Sequence, residues 1–163
     1  MNGEEKSIKY TANDLATKVD ELLLEYEQGL GIKNGNPDIK AEKYLTMSED
    51  DIRCMSGEDA AIASITLGQY SFYLQRSINI ELRRMNWATA QIDRAILGEM
   101  KNYSAGSAPE RKMLAIKDNS FALSLESLRT QAQARVDQIN YLSAKCDALS
   151  YRFSEYQQSK RKI

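Results

Sequence analysis

Apolar residues return every three or four positions along most of this chain, and three stretches hold that period long enough to predict helices. The first covers 11–28, with Leu15, Val19, Leu22 and Tyr26 on one face and a stop at Gly29 and Gly31. The second runs from 57 to about 97, with an apolar back of Tyr70, Leu74, Ile78, Leu82, Met85, Ile92 and Ile96. It has no proline and one interior glycine, Gly68. The third runs from 109 to about 158 in a sustained heptad. Leu114, Phe121, Leu128, Leu142, Leu149 and Tyr156 share one position; Leu125, Ala132, Ile139, Cys146 and Phe153 share the other. Asp118 and Arg135 are its polar exceptions. The expected fold is all-α: a long helical hairpin with a shorter N-terminal helix, coiled-coil-like packing and oligomeric assembly. Phe121, Leu125, Leu128, Ile139, Leu142, Leu149 and Phe153 are the candidate oligomerisation residues.

Local signals punctuate this pattern. Four Ser/Thr-x-x-Asp/Glu capping boxes precede apolar runs: Thr11 to Asp14, Ser48 to Asp51, Ser56 to Asp59 and Ser107 to Glu110. Between the first two boxes, Asn34-Gly35 and Asn36-Pro37 mark a loop or hinge, and 48–55 reads as a short helical turn. Gly98–Pro109 reads as a flexible connection whose Gly98 frays the end of the second helix. Lys160-Arg161-Lys162 reads as a mobile basic tail. The expected division is an acidic N-terminal helix and hinge loop over 1–47, followed by a basic helical-hairpin body over 48–163.

Composition narrows the function. The chain has 163 residues, enough for one modest core, with 28% charged and 42% hydrophobic residues. No uncharged apolar run approaches a membrane span, and MNGEEKSIKY lacks the apolar region of a signal peptide. A cytoplasmic protein without membrane contact is expected, with Cys54 and Cys146 reduced. There is no histidine, which removes the commonest general base and metal ligand together. No phosphate-cradling glycine loop occurs, and the carboxylates do not repeat on an interior face. No catalytic residue, metal or cofactor is therefore assigned, and the expectation is a non-enzyme.

The net charge of −1 hides a segregation: residues 1–59 hold 14 acidic and 7 basic side chains, whereas 60–163 hold 9 acidic and 15 basic. A polyanion-binding body with an acidic N-terminal segment fits this, as do two solvated faces of opposite sign. The cations of the second helix favour the first. Arg76, Arg83, Arg94 and Lys101 recur at spacings of seven, eleven and seven, with Trp87 among them. At about 100° per residue all five fall within roughly 40° of one line, about 38 Å long, opposite the apolar back. Arginine suits phosphate and aromatic stacking, and a tryptophan on a polar line suits base stacking or an oligomer contact. Arg84, Arg111 and Lys112 extend the candidate nucleic-acid-binding set. Earlier in the same helix that line carries Ile62, Ile65 and Phe72, so the N-terminal helix is expected to cover 62–72 and leave the basic stretch open.

The segment Tyr70-Ser71-Phe72-Tyr73-Leu74-Gln75-Arg76, then Arg83-Arg84-Met85, then Asn102-Tyr103-Ser104-Ala105-Gly106, resembles the UvsY family of phage recombination mediators over roughly 62–160. The resemblance implies a non-enzymatic bacteriophage recombination factor. Such a factor binds single-stranded DNA, forms a homo-oligomer and helps load a RecA-like recombinase in place of single-strand-binding protein. The family's basic cluster lies just before the Tyr-Ser-Gly connection, where this chain has Ile96-Leu97-Gly98-Glu99, so the role passes to the flanking Arg94 and Lys101. The acidic N-terminal segment would then contact a partner protein or compete with DNA for the basic face. The alternative is a coiled-coil structural or assembly protein, such as a virion or scaffold component, whose charges serve solubility.

Overall fold

Hydroxyl–carboxylate pairs start four helices at the places their spacing predicts. The computed structural model describes residues 10–30 and 40–161, so the Asn34-Gly35 and Asn36-Pro37 turns and Lys162 lie outside the described residues. Helix α1 is Ala12–Gly29; the Asp14 N–H donates to Thr11 Oγ1 at 3.2 Å, and Thr11 N–H donates back to Asp14 Oδ2 at 2.9 Å. After the short α2, Glu42–Leu45, Ser48 and Asp51 cap α3, Glu49–Cys54, in the same reciprocal way. Helix α4 is Gly57–Ile96, opened by Asp59 N–H donating to Ser56 Oγ at 3.1 Å. A 3-10 turn, Glu99–Asn102, leads to α5, Ala108–Asp118. Ahead of α5, Glu110 accepts from the backbone and hydroxyl of Ser107 at 2.7 and 2.9 Å. Gly106 precedes this cap with φ +96°, a backbone angle that favours glycine, and a Cβ there would meet Glu110 Oε2 at 3.0 Å. Helix α6 is Ser120–Arg161. No strand occurs among the described residues, and no helix among them is long and apolar enough to cross a membrane.

The expected single third helix is two helices. Asn119 adopts an extended backbone, φ −105° and ψ 108°, and its Oδ1 accepts from the N–H of Ala122 at 2.9 Å. It thereby ends α5 and caps α6. Its Nδ2 donates to Glu99 Oε1 at 2.9 Å, which ties the break to the 3-10 turn. Leu114, Phe121 and Leu128 keep one heptad position apolar across this point, although Asp118 interrupts the other. The run Asp118-Asn119-Ser120 is the local signal.

The chain folds as two compact units, and α4 and α6 contribute to both: residues 1–33 with 80–134 form the first, and 34–79 with 135–163 the second. In the second unit, α4 and α6 run antiparallel across a seam that mixes small residues with larger apolar ones. Gly57, Ala60, Ser64, Leu67, Ser71, Leu74 and Ile78 alternate at spacings of three and four. Opposite them stand Ser143, Cys146, Ser150 and Phe153. The Ser71 and Ser143 hydroxyls lie 2.9 Å apart, and Ser71 Oγ also donates to the Ser143 carbonyl at 3.1 Å. Ser150 Oγ donates to the Ser64 carbonyl at 2.8 Å. A Cβ on Gly68 would sit 3.6 Å from Ser150 Oγ, and one on Gly57 would sit 3.7 Å from the Cβ of Lys160. Small side chains at these contacts let the two helices approach closely. Leu67 is fully buried, and Ala41, Met55, Ala60, Ala63 and Phe153 complete the cluster. The Tyr44 ring meets Phe153 edge to face at 6.3 Å. Burial in this seam pushes the Cys146 thiol above its ordinary pKa, whereas Cys54 is exposed.

In the first unit the core is Ala12, Ala88, Ile92, Ile96, Ala115, Ala122 and Leu125, with Trp87, Met100, Tyr103, Ile116 and Leu128 packed around it. Helix α1 enters this core through Ala12, with Leu15, Val19 and Leu23 half-buried. Along α6 the buried positions are Ala122, Leu125, Ala132, Val136, Ser143, Cys146 and Phe153. One predicted heptad position, that of Leu125 and Cys146, therefore faces inward. Its companion is the line of Ala122, Val136 and Ser143 rather than that of Phe121 and Leu142, which are exposed. Close helix approach selects the smaller set and turns the larger one outward. Among the candidate oligomerisation residues, Leu125 and Phe153 are consumed inside the chain, Leu128, Ile139 and Leu149 are half-buried, and Phe121 and Leu142 face solvent.

This register has a direct check. Leu125→Ala should cost about 2–5 kcal/mol by denaturant titration, and Leu142→Ala less than about 1 kcal/mol, whereas the register expected from apolar size alone would make the two losses similar.

Candidate nucleic-acid interface

The residues singled out by the basic line do not share one environment. Arg83, Arg84 and Trp87 are half-buried on the front of α4, and α1 lies against them. Asp20 Oδ2 accepts from Arg84 Nε at 2.7 Å, and Glu81 Oε1 accepts from Arg84 Nη1 at 3.0 Å. Glu27 Oε1 stands 3.7 Å from Arg83 Nη1. Arg83 Nε is buried and makes no hydrogen bond among the described residues. Ala16, Val19 and Asp20 of α1 and Arg83, Arg84 and Trp87 of α4 line one small cleft.

This docking reverses two expectations. Ile62, Ile65 and Phe72, which α1 was expected to cover, are exposed. The face of α1 expected to be buried also points away at its C-terminal half: Leu22 is 67% and Tyr26 65% exposed, while Ala12 and Ala16 are buried. The physical reason is charge. The inner edge of α1 joins Ala12, Ala16 and the half-buried Val19 to Asp20 and Glu27, and its carboxylates match the arginines of α4 better than the 62–72 apolar line, which offers them no partner. Asp20 and Glu27 were not among the predicted site residues. Their seven-residue spacing on an acidic helix was the available sign.

The remaining cations are distributed around the first unit, with one in the second. Arg94 is exposed in the last turn of α4. Lys101 is exposed on the 3-10 turn, because α4 ends at Ile96 and Gly98 breaks the line, as expected for the stripe's end. Lys112 of α5 pairs with Asp93 of α4 at 2.6 Å. Arg111 is half-buried, with Nε making no hydrogen bond among the described residues. Arg76 belongs to the second unit, where it is half-buried and has interactions of its own. On α6, Arg129 grips Glu126 through two nitrogens at 2.9 and 2.5 Å and holds that carboxyl below its ordinary pKa. Tyr103 donates to Asp118, which raises the phenol pKa and secures the connection beside Lys101.

The resulting chemistry is that of an anion-binding face. Arginines offer planar donor pairs, an indole stands beside them, and carboxylates of the same chain already occupy part of the surface. Comparisons with protein-family profiles, with curated proteins and with solved structures return no match.

The position of α1 rests partly on its cap. The Thr11 hydroxyl and backbone N–H hold the Asp14 carboxyl below its ordinary pKa, so this cap is intact above the usual carboxylate range and is lost as pH falls through the lowered value. Amide exchange in the first turn of α1, corrected for intrinsic rates, should accelerate on acidification below about pH 4. Asp14→Ala should give the faster exchange at neutral pH and remove the pH dependence.

Proposed function

We propose that this chain is a non-enzymatic single-stranded-DNA-binding mediator that helps load a RecA-like recombinase in place of single-strand-binding protein. The observation that carries the reading is the clustering of Arg83, Arg84 and Trp87 on one face of α4 with carboxylates seated on it. A surface that holds Asp20 and Glu27 through guanidinium groups has the donors a phosphodiester needs, and an indole beside them offers a stacking platform. Arg94 and Lys101 add exposed cations farther along the same unit. No arrangement for reading base edges accompanies them, so binding is sequence-independent and electrostatic. Homo-oligomerisation multiplies these contacts along one strand by avidity. The link to a recombinase and to single-strand-binding protein rests on the sequence resemblance to UvsY-like mediators.

A second reading, a coiled-coil assembly protein without nucleic-acid binding, draws on the exposed row Ile62, Ile65 and Phe72 and on Phe121 and Leu142. Fluorescence anisotropy with a labelled oligo-dT separates the two. If Arg83, Arg84, Arg94 and Lys101 each neutralise one phosphate, affinity should fall roughly fiftyfold between 50 and 200 mM salt. Arg83→Ala with Arg94→Ala should weaken binding at least about tenfold and flatten that salt dependence. No binding at low salt, together with a large assembly by mass measurement, would favour the assembly protein.

A further inference from the structure

The face assigned to nucleic acid is not vacant: an acidic helix of the same chain lies on it. From Ala12 to Gly29, α1 holds five carboxylates and one lysine. Two of those carboxylates are spent on the arginines of α4, Asp20 on Arg84 at 2.7 Å and Glu27 on Arg83 at 3.7 Å. The apolar hold beneath them is thin. Only Ala12 and Ala16 of α1 are fully buried and Leu15, Val19 and Leu23 are half-buried, whereas Leu22, Leu24 and Tyr26 are exposed. A helix meant as a permanent third member of a bundle buries its leucines and leaves its carboxylates in water. Here Leu22 and Leu24 stand exposed while Asp20 and Glu27 turn inward, so the docked state leans on ion pairs that salt screens and other anions can replace.

We infer that α1 is a displaceable acidic strap, and that a polyanion binds the Arg83–Arg84–Trp87 face by taking the places of the Asp20 and Glu27 carboxylates. The exchange conserves the chemistry at each arginine. A phosphate oxygen accepts from Arg84 Nε where Asp20 did, Glu81 stays on Nη1, and the buried Arg83 Nε, which makes no hydrogen bond among the described residues, gains an acceptor. Trp87 lines the cleft under α1 and emerges when the strap leaves. It becomes available for stacking at the moment the phosphates arrive. The strap therefore sets a threshold: isolated anions and short strands fail to displace it, while a strand engaging Arg94 and Lys101 as well competes with a linked helix on better terms.

This inference rests on the proposed nucleic-acid reading, and one set of measurements separates the failure of each. In the full-length chain, Asp20→Asn with Glu27→Gln should bind oligo-dT about tenfold more tightly than the parent. A charge-matched control on the outer face, Glu21→Gln with Glu25→Gln, should stay within about twofold of it, since those two side chains are exposed. Trp87 is the only tryptophan, so its emission reports the strap directly. Inorganic polyphosphate, which has no bases to quench it, should shift parent emission to the red, and the Asp20→Asn, Glu27→Gln variant should start closer to that position. Equal oligo-dT affinity in all three proteins with no polyphosphate shift overturns the strap and leaves the DNA reading standing. An equal gain in the control also overturns it, because net charge alone would then explain the effect. No oligo-dT binding by any of the three overturns both.

Discussion

Everything in this chain is arranged around how closely α4 and α6 approach each other. In the second unit, glycine, alanine and serine at the contact positions bring two backbones near enough for hydroxyls to bond across the seam. Such packing gains little from the area of each side chain and much from its density over many turns. The small-residue line must face inward, and the residues on the flank of α6, Phe121 and Leu142 among them, are left at the surface. The buried hydroxyl pairs also fix the sliding register. A shift along the helix would leave them facing apolar partners, at about 1–3 kcal/mol for each unsatisfied group.

Much of the fold was legible. Helix-period apolar spacing marked the outer ends of the long helices to within about three residues, and each predicted hydroxyl–carboxylate pair is hydrogen-bonded at a helix start. Two things were not. The break at Asn119 is hidden because one heptad position stays apolar through it, and only the polar triplet at 118–120 betrays it. The register of α6 is hidden because hydrophobicity ranks Phe121 and Leu142 above Ala122 and Ser143, while close packing ranks them the other way.

The candidate site was legible in its cations and illegible in their cover. Arg83, Arg84 and Trp87 lie together as the helical spacing implied, but the amphipathic rule chose the leucine face of α1 as its inner face. Charge complementarity with α4 turns Asp20 and Glu27 inward in place of Leu22 and Tyr26. No single-helix pattern contains that information, since it depends on which surface the helix meets. The same feature gives the basic line its two characters: arginines engaged beneath α1, and Arg94 and Lys101 open to solvent beyond it.

Asn119 uses its amide in two directions, accepting from the first turn of α6 and donating to Glu99. Few side chains meet both demands at that reach. Aspartate would keep the cap but set a second carboxylate against Glu99, serine is too short to donate so far, and glutamine trades the cap for length. Sequence drift at this corner is thus narrowly channelled. The heading of α5, and with it the placement of Arg111 and Lys112, is inherited from the chemistry of a single carboxamide.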